Sequence, residues 1–134
     1  MRLSARRADA LTLRAKASLA VLRAAPAEHE HLRDVVAQDI TQLEREGRAH
    51  LRAEAALLRA GLAACDGDDE AGGRHLDAAV SGFEATGMSL SAIVVRRLRA
   101  RSSDVRAKAE ALMRMQNISD PGAWSCVIAP GVAR

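Results

Sequence analysis

Residues 67–88, GDDEAGGRHLDAAVSGFEATGM, join an acidic turn to an amphipathic helix. Gly67 suits the turn, and the side chain of Asp68 or Asp69 can accept a free backbone N–H group at the start of the helix. The apolar residues that follow share one helical face, at i, i+3, i+4 and i+7: Leu76, Ala79, Val80 and Phe83. Gly87 is a favourable residue for ending the helix. The segment therefore predicts a loop and a helix with one buried face.

The composition favours helices along the whole chain of 134 residues. Alanine, leucine, arginine and glutamate are abundant, and all four have high helix propensity. With one Phe, one Trp and no Tyr, the core has to consist mainly of Ala, Leu and Val, which lets helices approach one another closely. We therefore predict an all-α fold in a single domain, residues 1–134.

Helix-breaking positions divide the chain into segments: Pro26, Gly47, Gly67, Gly87 and the polar run 101–104. The segments predict six helices, the first over residues 1–24, then a short helical turn around Trp124 and a frayed end at 129–134. Pro26 is expected in the first turn of the second helix and Ser89 as the N-cap of the fifth. Because short loops reverse the chain, the predicted architecture is a stack of antiparallel helical hairpins.

Eleven apolar residues are predicted to form the core of this stack. They are Leu58, Leu62, Leu76, Ala79, Val80, Phe83, Leu90, Ile93, Val94, Leu112 and Trp124. Each hairpin of a stack buries an apolar face against its neighbour. The end hairpin of a truncated array therefore has an apolar face that no neighbour covers. We expect the first helix, residues 1–24, to be that exposed end.

Two groups of residues could suggest a metal site. The acidic run at 66–70 starts like a calcium loop, but an EF-hand needs Gly at its sixth position and Glu at its twelfth. Counting from Asp66, these positions hold Ala71 and Asp77. The histidines form no HExxH motif, and the sequence HEH at 29–31 should point its two rings to different sides of a helix: His29, His31, His50 and His75. We expect helix capping by the acids, surface histidines and no metal.

Catalytic motifs do not occur in the sequence. It contains no GxSxG, no Gly-rich phosphate-binding loop, no GxGxxG, and no kinase HRD or DFG motif. Cys65 and Cys126 lack CxxC spacing, which predicts reduced thiols in a cytoplasmic protein. We therefore expect no enzymatic activity and no cofactor.

The N-terminal segment is basic and amphipathic, which is the composition of a transit peptide as well as of an ordinary first helix. We prefer the ordinary helix, since the alanine- and arginine-rich composition continues through the whole chain. Apolar runs are too short to span a membrane, so no membrane partner is expected.

A net charge of +3 is unevenly distributed along the chain. Six basic residues lie between positions 96 and 108: Arg96, Arg97, Arg99, Arg101, Arg106 and Lys108. They are candidate contacts to an anionic partner, and nucleic-acid binding is the alternative function because clustered arginines neutralise phosphates. No aromatic residue is interleaved for base stacking. We prefer the interpretation that these six residues form a solvated helix face, which pairs in part with acidic residues of the second helix. The aliphatic part of the Arg97 side chain is then expected to lie along apolar surface.

The residues around Phe83 resemble a tetratricopeptide element of the form Ax4LxxAx3Fx3G. The matching positions are Ala71, Leu76, Ala79, Phe83 and Gly87. Further segments, together and in this order, are similar to the C-terminal region of large bacterial serine/threonine protein kinases of the myxobacterial type. They are LEREG (43–47), ALLRAGLAA (56–64), FEATGM (83–88), VVRRLRA (94–100) and MQNISDPGAWSCVIAPG (115–131). The resemblance covers residues 20–131.

The resemblance implies a degenerate tetratricopeptide-like tail over residues 27–131, of the kind that follows a kinase domain, an ATPase-like module and a helical array. The first-helix pattern Wx2LGx2Y of tetratricopeptides is missing, and a polar RARSSD replaces the glycine-rich loop expected after the RRL helix. Because the kinase and ATPase motifs are absent, none of their catalytic residues transfers to this chain. The function implied is protein interaction or regulation, with a protein partner such as the rest of a kinase/ATPase signalling system.

Overall fold

Seven α-helices make up residues 4–132, the part of the chain that this computed structural model describes. In chain order they are α1 (Ala5–Ala24), α2 (His31–Arg45), α3 (Ala49–Asp66), α4 (Asp69–Ala85), α5 (Ser89–Arg99), α6 (Ser103–Met115) and α7 (Pro121–Ile128). No β-strand occurs between residues 4 and 132. The predicted all-α fold is confirmed, and the turn predicted around Trp124 is a helix of eight residues. Residues 1–3 of the predicted first helix and 133–134 of the predicted frayed end lie outside the described residues.

Local sequence sets most of the helix ends. Four helices begin with a side chain that accepts a hydrogen bond from the N–H three residues later: Ser4, Asp68, Ser102 and Asp120. Three helices are followed by a glycine with φ of 70° to 71°, a conformation that costs other residues free energy: Gly47, Gly67 and Gly87.

Two predicted helix starts are wrong. Pro26 lies in a turn, and α2 begins only at His31, because the reversal of the chain after α1 uses residues 25–30. Ser89 is the first residue of α5, and Met88 occupies the N-cap. The N–H of Met88 also donates to the carbonyl oxygen of Phe83 at 2.9 Å, so one residue closes α4 and opens α5.

Helix α3 lies between two hydrophobic clusters. The first cluster joins it to α1 and α2 through Leu51, Ala55 and Leu58, with Leu62 and Cys65 packed at its edge. The second cluster joins its opposite side to α4 and α5: Ala53, Leu57, Ala60, Leu76, Ala79, Phe83, Ala92 and Val95. A helix buried on two sides has to be apolar almost all round, which the alanine-rich sequence of α3 satisfies.

Small residues bring α3 and α4 into close contact. A Cβ placed on Gly82 of α4 would lie 2.8 Å from the Cβ of Ala53 in α3, which is closer than real Cβ atoms approach. The apolar face of α4 that carries Phe83 is therefore buried, as predicted, and it packs against the side of α3 opposite Leu58.

Most of the predicted core residues are buried or packed against the core. Leu58, Leu76, Ala79, Phe83 and Val94 are buried, and Leu62 and Val80 pack against the two clusters. Leu90 and Ile93 are half-buried. Two assignments are wrong: Leu112 is 44% exposed and Trp124 is 39% exposed. Both lie at the end of the stack, where α6 and α7 have neighbours on one side only.

The segment that follows α7 does not fray within the described residues. Ala129 is 3% exposed and joins the second cluster, against which Ile128 and Val132 also pack. The Nη1 of Arg23 in α1 donates a hydrogen bond to the carbonyl oxygen of Gly131 at 2.7 Å. Apolar residues at 128, 129 and 132 thus cover α3 and α5, which is why the prediction of a frayed end was wrong.

Candidate functional site

The acidic run of the α3–α4 loop forms helix caps and ion pairs. The Oδ1 of Asp68 accepts a hydrogen bond from the N–H of Ala71 at 2.9 Å, while Asp69 and Glu70 occupy the first turn of α4, where negative charge is favourable. Asp66 forms an ion pair with Arg33 of α2. Within residues 4–132 no three His, Cys, Asp or Glu side chains converge in a way that could hold a metal ion.

The histidines differ from one another in their surroundings. The rings of His29 and His31 lie 6.2 Å apart, edge to face, because His29 precedes α2 and does not follow the rotation of a helix. The prediction that these two rings point apart is therefore wrong. His75 of α4 is half-buried, and burial, followed by the nearby charges of Arg59 and Arg74, lowers its pKa. Such a histidine is neutral at physiological pH.

The two cysteines are free thiols. Cys65 packs at the edge of the first cluster, and burial raises its pKa, partly offset by the positive charges of Arg23 and Arg33. A protonated thiol is a poor nucleophile and a poor metal ligand. Cys126 is exposed on α7.

Three of the six candidate anion contacts form ion pairs within the stack. Arg96 pairs with Glu84 of α4, and Arg99 donates to both carboxylate oxygens of Asp77 at 2.9 and 3.2 Å. Arg97 is largely buried; its Nε donates to Glu110 of α6 at 3.0 Å and its Nη1 to the Oγ of Ser125 in α7 at 3.4 Å. The basic segment thus holds α4, α5, α6 and α7 together.

The expected pairing of the basic segment with the acidic second helix is wrong. The acids of α2 pair instead with α1 and α3, through Asp39 with Arg14 and Glu44 with Arg59. The hydrogen bond donated by Arg59 lowers the pKa of Glu44. The reason is topological: α5 packs on α4, α6 and α7, so α2 is out of its reach.

The other three candidate contacts, Arg101, Arg106 and Lys108, are exposed, and none forms an ion pair within residues 4–132. Arg101 lies in the α5–α6 connection and lines a cleft together with Arg23 and Arg99. Arg106 and Lys108 lie on α6, outside that cleft. The structure therefore divides the basic segment into a structural part, a cleft and a separate surface.

Large apolar side chains are exposed at the two ends of the stack. In the described residues they belong to α1, α6 and α7: Leu13, Val21, Val105, Leu112, Met115, Trp124 and Val127. At the α6–α7 end, a groove of about 560 Å³ is lined mainly by apolar groups, including Leu90, Ile118, Trp124 and Val127. Both ends of the stack thus expose large apolar side chains beside charged ones such as Arg14 and Lys108, whereas the end of a closed helical array normally has a polar outer face.

The chain matches no protein-family model, no curated protein and no solved structure. The resemblance to the tails of bacterial kinases therefore stays a prediction from the sequence motifs. None of the helices between residues 4 and 132 combines the length and apolarity needed to cross a membrane.

One feature near α1 was missed by sequence reasoning. Asp39 is completely buried, and its carboxylate accepts two hydrogen bonds from Arg14, one of them from Nε at 2.9 Å. The signal was present in the sequence, since Asp39 lies on the same helical face as Val36 and Leu43. A carboxylate within an apolar stripe requires a partner, and Arg14 supplies it from the neighbouring helix.

Proposed function

We propose that this protein is a non-catalytic, cytoplasmic helical-repeat module that binds a protein partner in a bacterial serine/threonine kinase signalling system. The observation that carries the proposal is the position of the exposed large apolar side chains, which occupy α1, α6 and α7 and leave α2 to α5 free of them. The end helices of a helical array that face solvent usually have polar outer faces. An end helix that packs against a further helix or binds a partner protein keeps an apolar outer face.

The face of α1 opposite its buried side supports a helical partner. Leu13 is 70% exposed and Val21 42% exposed, and the residues between them on this face are alanines 17 and 20. Small side chains let a second helix approach closely, as Gly82 and Ala53 do inside the stack. In the kinases that the sequence resembles, a helical array precedes the tail, and its last helix is the natural occupant of this face.

The alternative function, nucleic-acid binding by residues 96–108, is less favoured. Arg96, Arg97 and Arg99 already have carboxylate partners, so contact with phosphates would compete with these ion pairs. Arg101, Arg106 and Lys108 remain for such contacts, and each phosphate contact contributes to a salt-dependent affinity.

Binding to the helical array of a serine/threonine kinase regulator from the same genome tests the proposal, with isothermal titration calorimetry as the measurement. We expect saturable binding with a negative change in heat capacity, because apolar surface is buried. Leu13→Ser should weaken binding by about tenfold, the effect of losing one well-buried aliphatic contact.

Ala37→Ser, an exposed position on α2, is the matched control and should bind like the wild type. Equal binding by both variants, or no saturable heat with any such array, contradicts the proposal. Duplex DNA titrated at two salt concentrations distinguishes the alternative: tight binding that weakens with salt would favour nucleic acid.

A further inference from the structure

A cleft of about 340 Å³ lies over α3 and is bordered by α1, the start of α4 and the end of α5. Arginines from three separate parts of the fold line it: Arg23 from α1, Arg99 from the last position of α5, and Arg101 from the connection to α6. Three positively charged side chains on one cleft attract a negative charge into it. The cleft is also distinct from the apolar groove at the α6–α7 end, with which it shares no lining residue.

The three guanidinium groups keep unused hydrogen-bond donors. Each carries five N–H groups. Arg23 donates through Nη1 to the carbonyl oxygen of Gly131, and Arg99 donates through Nε and Nη2 to Asp77. Arg101 is exposed and forms no ion pair with any residue between 4 and 132. A ligand in the cleft can therefore receive donors from all three arginines without displacing their present partners.

Two glycines of α4 leave room in the cleft for the arginine side chains. Gly72 and Gly73 line the cleft, and a Cβ placed on Gly73 would lie 3.3 Å from the Cζ of Arg99. The guanidinium of Arg99 thus rests against the α4 backbone where no side chain stands, and its pKa is raised by the hydrogen bond to Asp77. This packing holds the group in one place, which reduces the entropy lost when a ligand binds.

The remaining lining residues supply an apolar floor and two acids. Ala60, Ala64, Leu76 and Val132 form the apolar part, and an apolar lining with a few polar groups is usual for a small-molecule site. The two acids are Asp68, whose Oδ1 already accepts a hydrogen bond from the N–H of Ala71, and Asp69. Three arginines against two aspartates leave the lining with a net charge of +1.

We propose that this cleft binds a small organic anion, with its phosphate or carboxylate group on the three arginines and its apolar part on the alanine and leucine floor. The ligand is small because the cleft holds about 340 Å³, the low end of known ligand sites. Asp69 can accept a hydrogen bond from a hydroxyl group of the same ligand. None of the exposed large apolar side chains of α1, α6 and α7 lines this cleft, so the site goes beyond the proposed protein interaction and does not depend on it.

Two-dimensional NMR of the nitrogen-15-labelled protein tests this site, with phenyl phosphate and benzoate as probes and benzyl alcohol as the neutral control. The amide signals of Gly72 and Gly73 should shift saturably with at least one of the two anions and stay unchanged with the alcohol. The indole N–H of Trp124, in the separate groove, should not move. Comparison of the two anions decides whether phosphate or carboxylate is the preferred group.

Arg101→Ala should weaken the binding of the effective anion by about tenfold or more, the effect of losing a charge-assisted hydrogen bond. Arg106→Ala is the matched control, an exposed arginine outside the cleft, and should leave the affinity unchanged. Circular dichroism verifies that both variants fold. Absence of saturable shifts with either anion, or equal weakening by the two variants, would overturn the proposal, since the second result indicates general attraction by the basic surface.

Discussion

Gly61 of α3 and Gly131 of the C-terminal segment touch through their backbones. A Cβ placed on Gly131 would lie 2.7 Å from the Cα of Gly61, and one placed on Gly61 would lie 2.8 Å from Cδ1 of Leu19. Arg23 binds the carbonyl oxygen of the same Gly131. The segment after α7 therefore connects α3 with α1, and the two glycines make this approach possible.

Gly131→Ala should lower the free energy of unfolding by about 1–3 kcal/mol, because the added methyl group meets backbone that cannot move away easily. Gly72→Ala is the control: its Cβ would meet Ala63 at an ordinary 3.8 Å, and alanine favours a helix interior. That variant should be as stable as the wild type or up to about 1 kcal/mol more stable. Chemical denaturation measures both, and a fully stable Gly131→Ala would contradict the contact.

Phe83→Ala should destabilise the fold by about 3–5 kcal/mol, since the ring is completely buried in the second cluster and its removal leaves a cavity. Leu112→Ala, at a position that is 44% exposed, should cost less than about 1.5 kcal/mol. Urea denaturation of the two variants compares them directly. Similar losses at both positions would mean that the α6–α7 end is covered in solution.

Arg14→Met should lower the free energy of unfolding by about 2–3 kcal/mol, because it leaves the carboxylate of Asp39 buried without its charged partner. The side chain of Arg14 is 58% exposed, so water can partly replace it and the loss stays below that of a fully buried pair. The double variant Arg14→Met with Asp39→Leu should regain most of the stability. If the double variant loses as much free energy of unfolding as Arg14→Met and Asp39→Leu lose together when each is made alone, the two residues are not coupled.

Stability should decrease in two steps as the pH falls. The pKa of His75 is lowered from its ordinary 6.5, so the unfolded chain takes up a proton first, and stability declines from about pH 6.5 down through the pKa of the folded state. The pKa of Glu44 is lowered from its ordinary 4.5 by the hydrogen bond from Arg59, and its contribution is lost below that pH. In both cases the folded state binds fewer protons than the unfolded state, so both groups make the protein less stable as the pH falls.

Urea midpoints at pH 7.5, 5.5 and 3.5 measure this dependence. His75→Gln should flatten the upper step, and Glu44→Gln the lower one. The control His50→Gln, at an exposed position, should keep the profile of the wild type. A profile for His75→Gln that matches the wild type would exclude His75 as the source of the upper step.

Local features of the sequence predicted the helices well and their partners poorly. The cap at Asp68, and the glycines after α2, α3 and α4, act within a few residues, so their effect is visible in the sequence. The apolar stripe from Leu76 to Phe83 likewise faces the core. The assignment of Leu112 and Trp124 to the core failed because an apolar residue at helical spacing is buried only where a neighbouring element covers it.

The candidate site was predicted in part. Arg99 and Arg101 were identified as anion contacts, but Arg23, which completes the cleft, is far away in the chain and carries no motif. The pairing of Arg96 with Glu84 and of Arg99 with Asp77 was also missed, because a charge pattern does not indicate which of several acidic segments lies next to it.

The all-α fold, the approximate helix segments and the apolar face of α4 follow from the order of the residues, since helix propensity, capping and periodicity act over a few positions. Other features appear only in the folded chain. They are the burial of α3 on two sides, the hydrogen bond from Arg23 to Gly131, which lies 108 positions away, and the exposed apolar side chains at the ends of the stack. An alanine-rich helix presents several nearly equivalent faces, and the contacts among all its neighbours select which of them is buried.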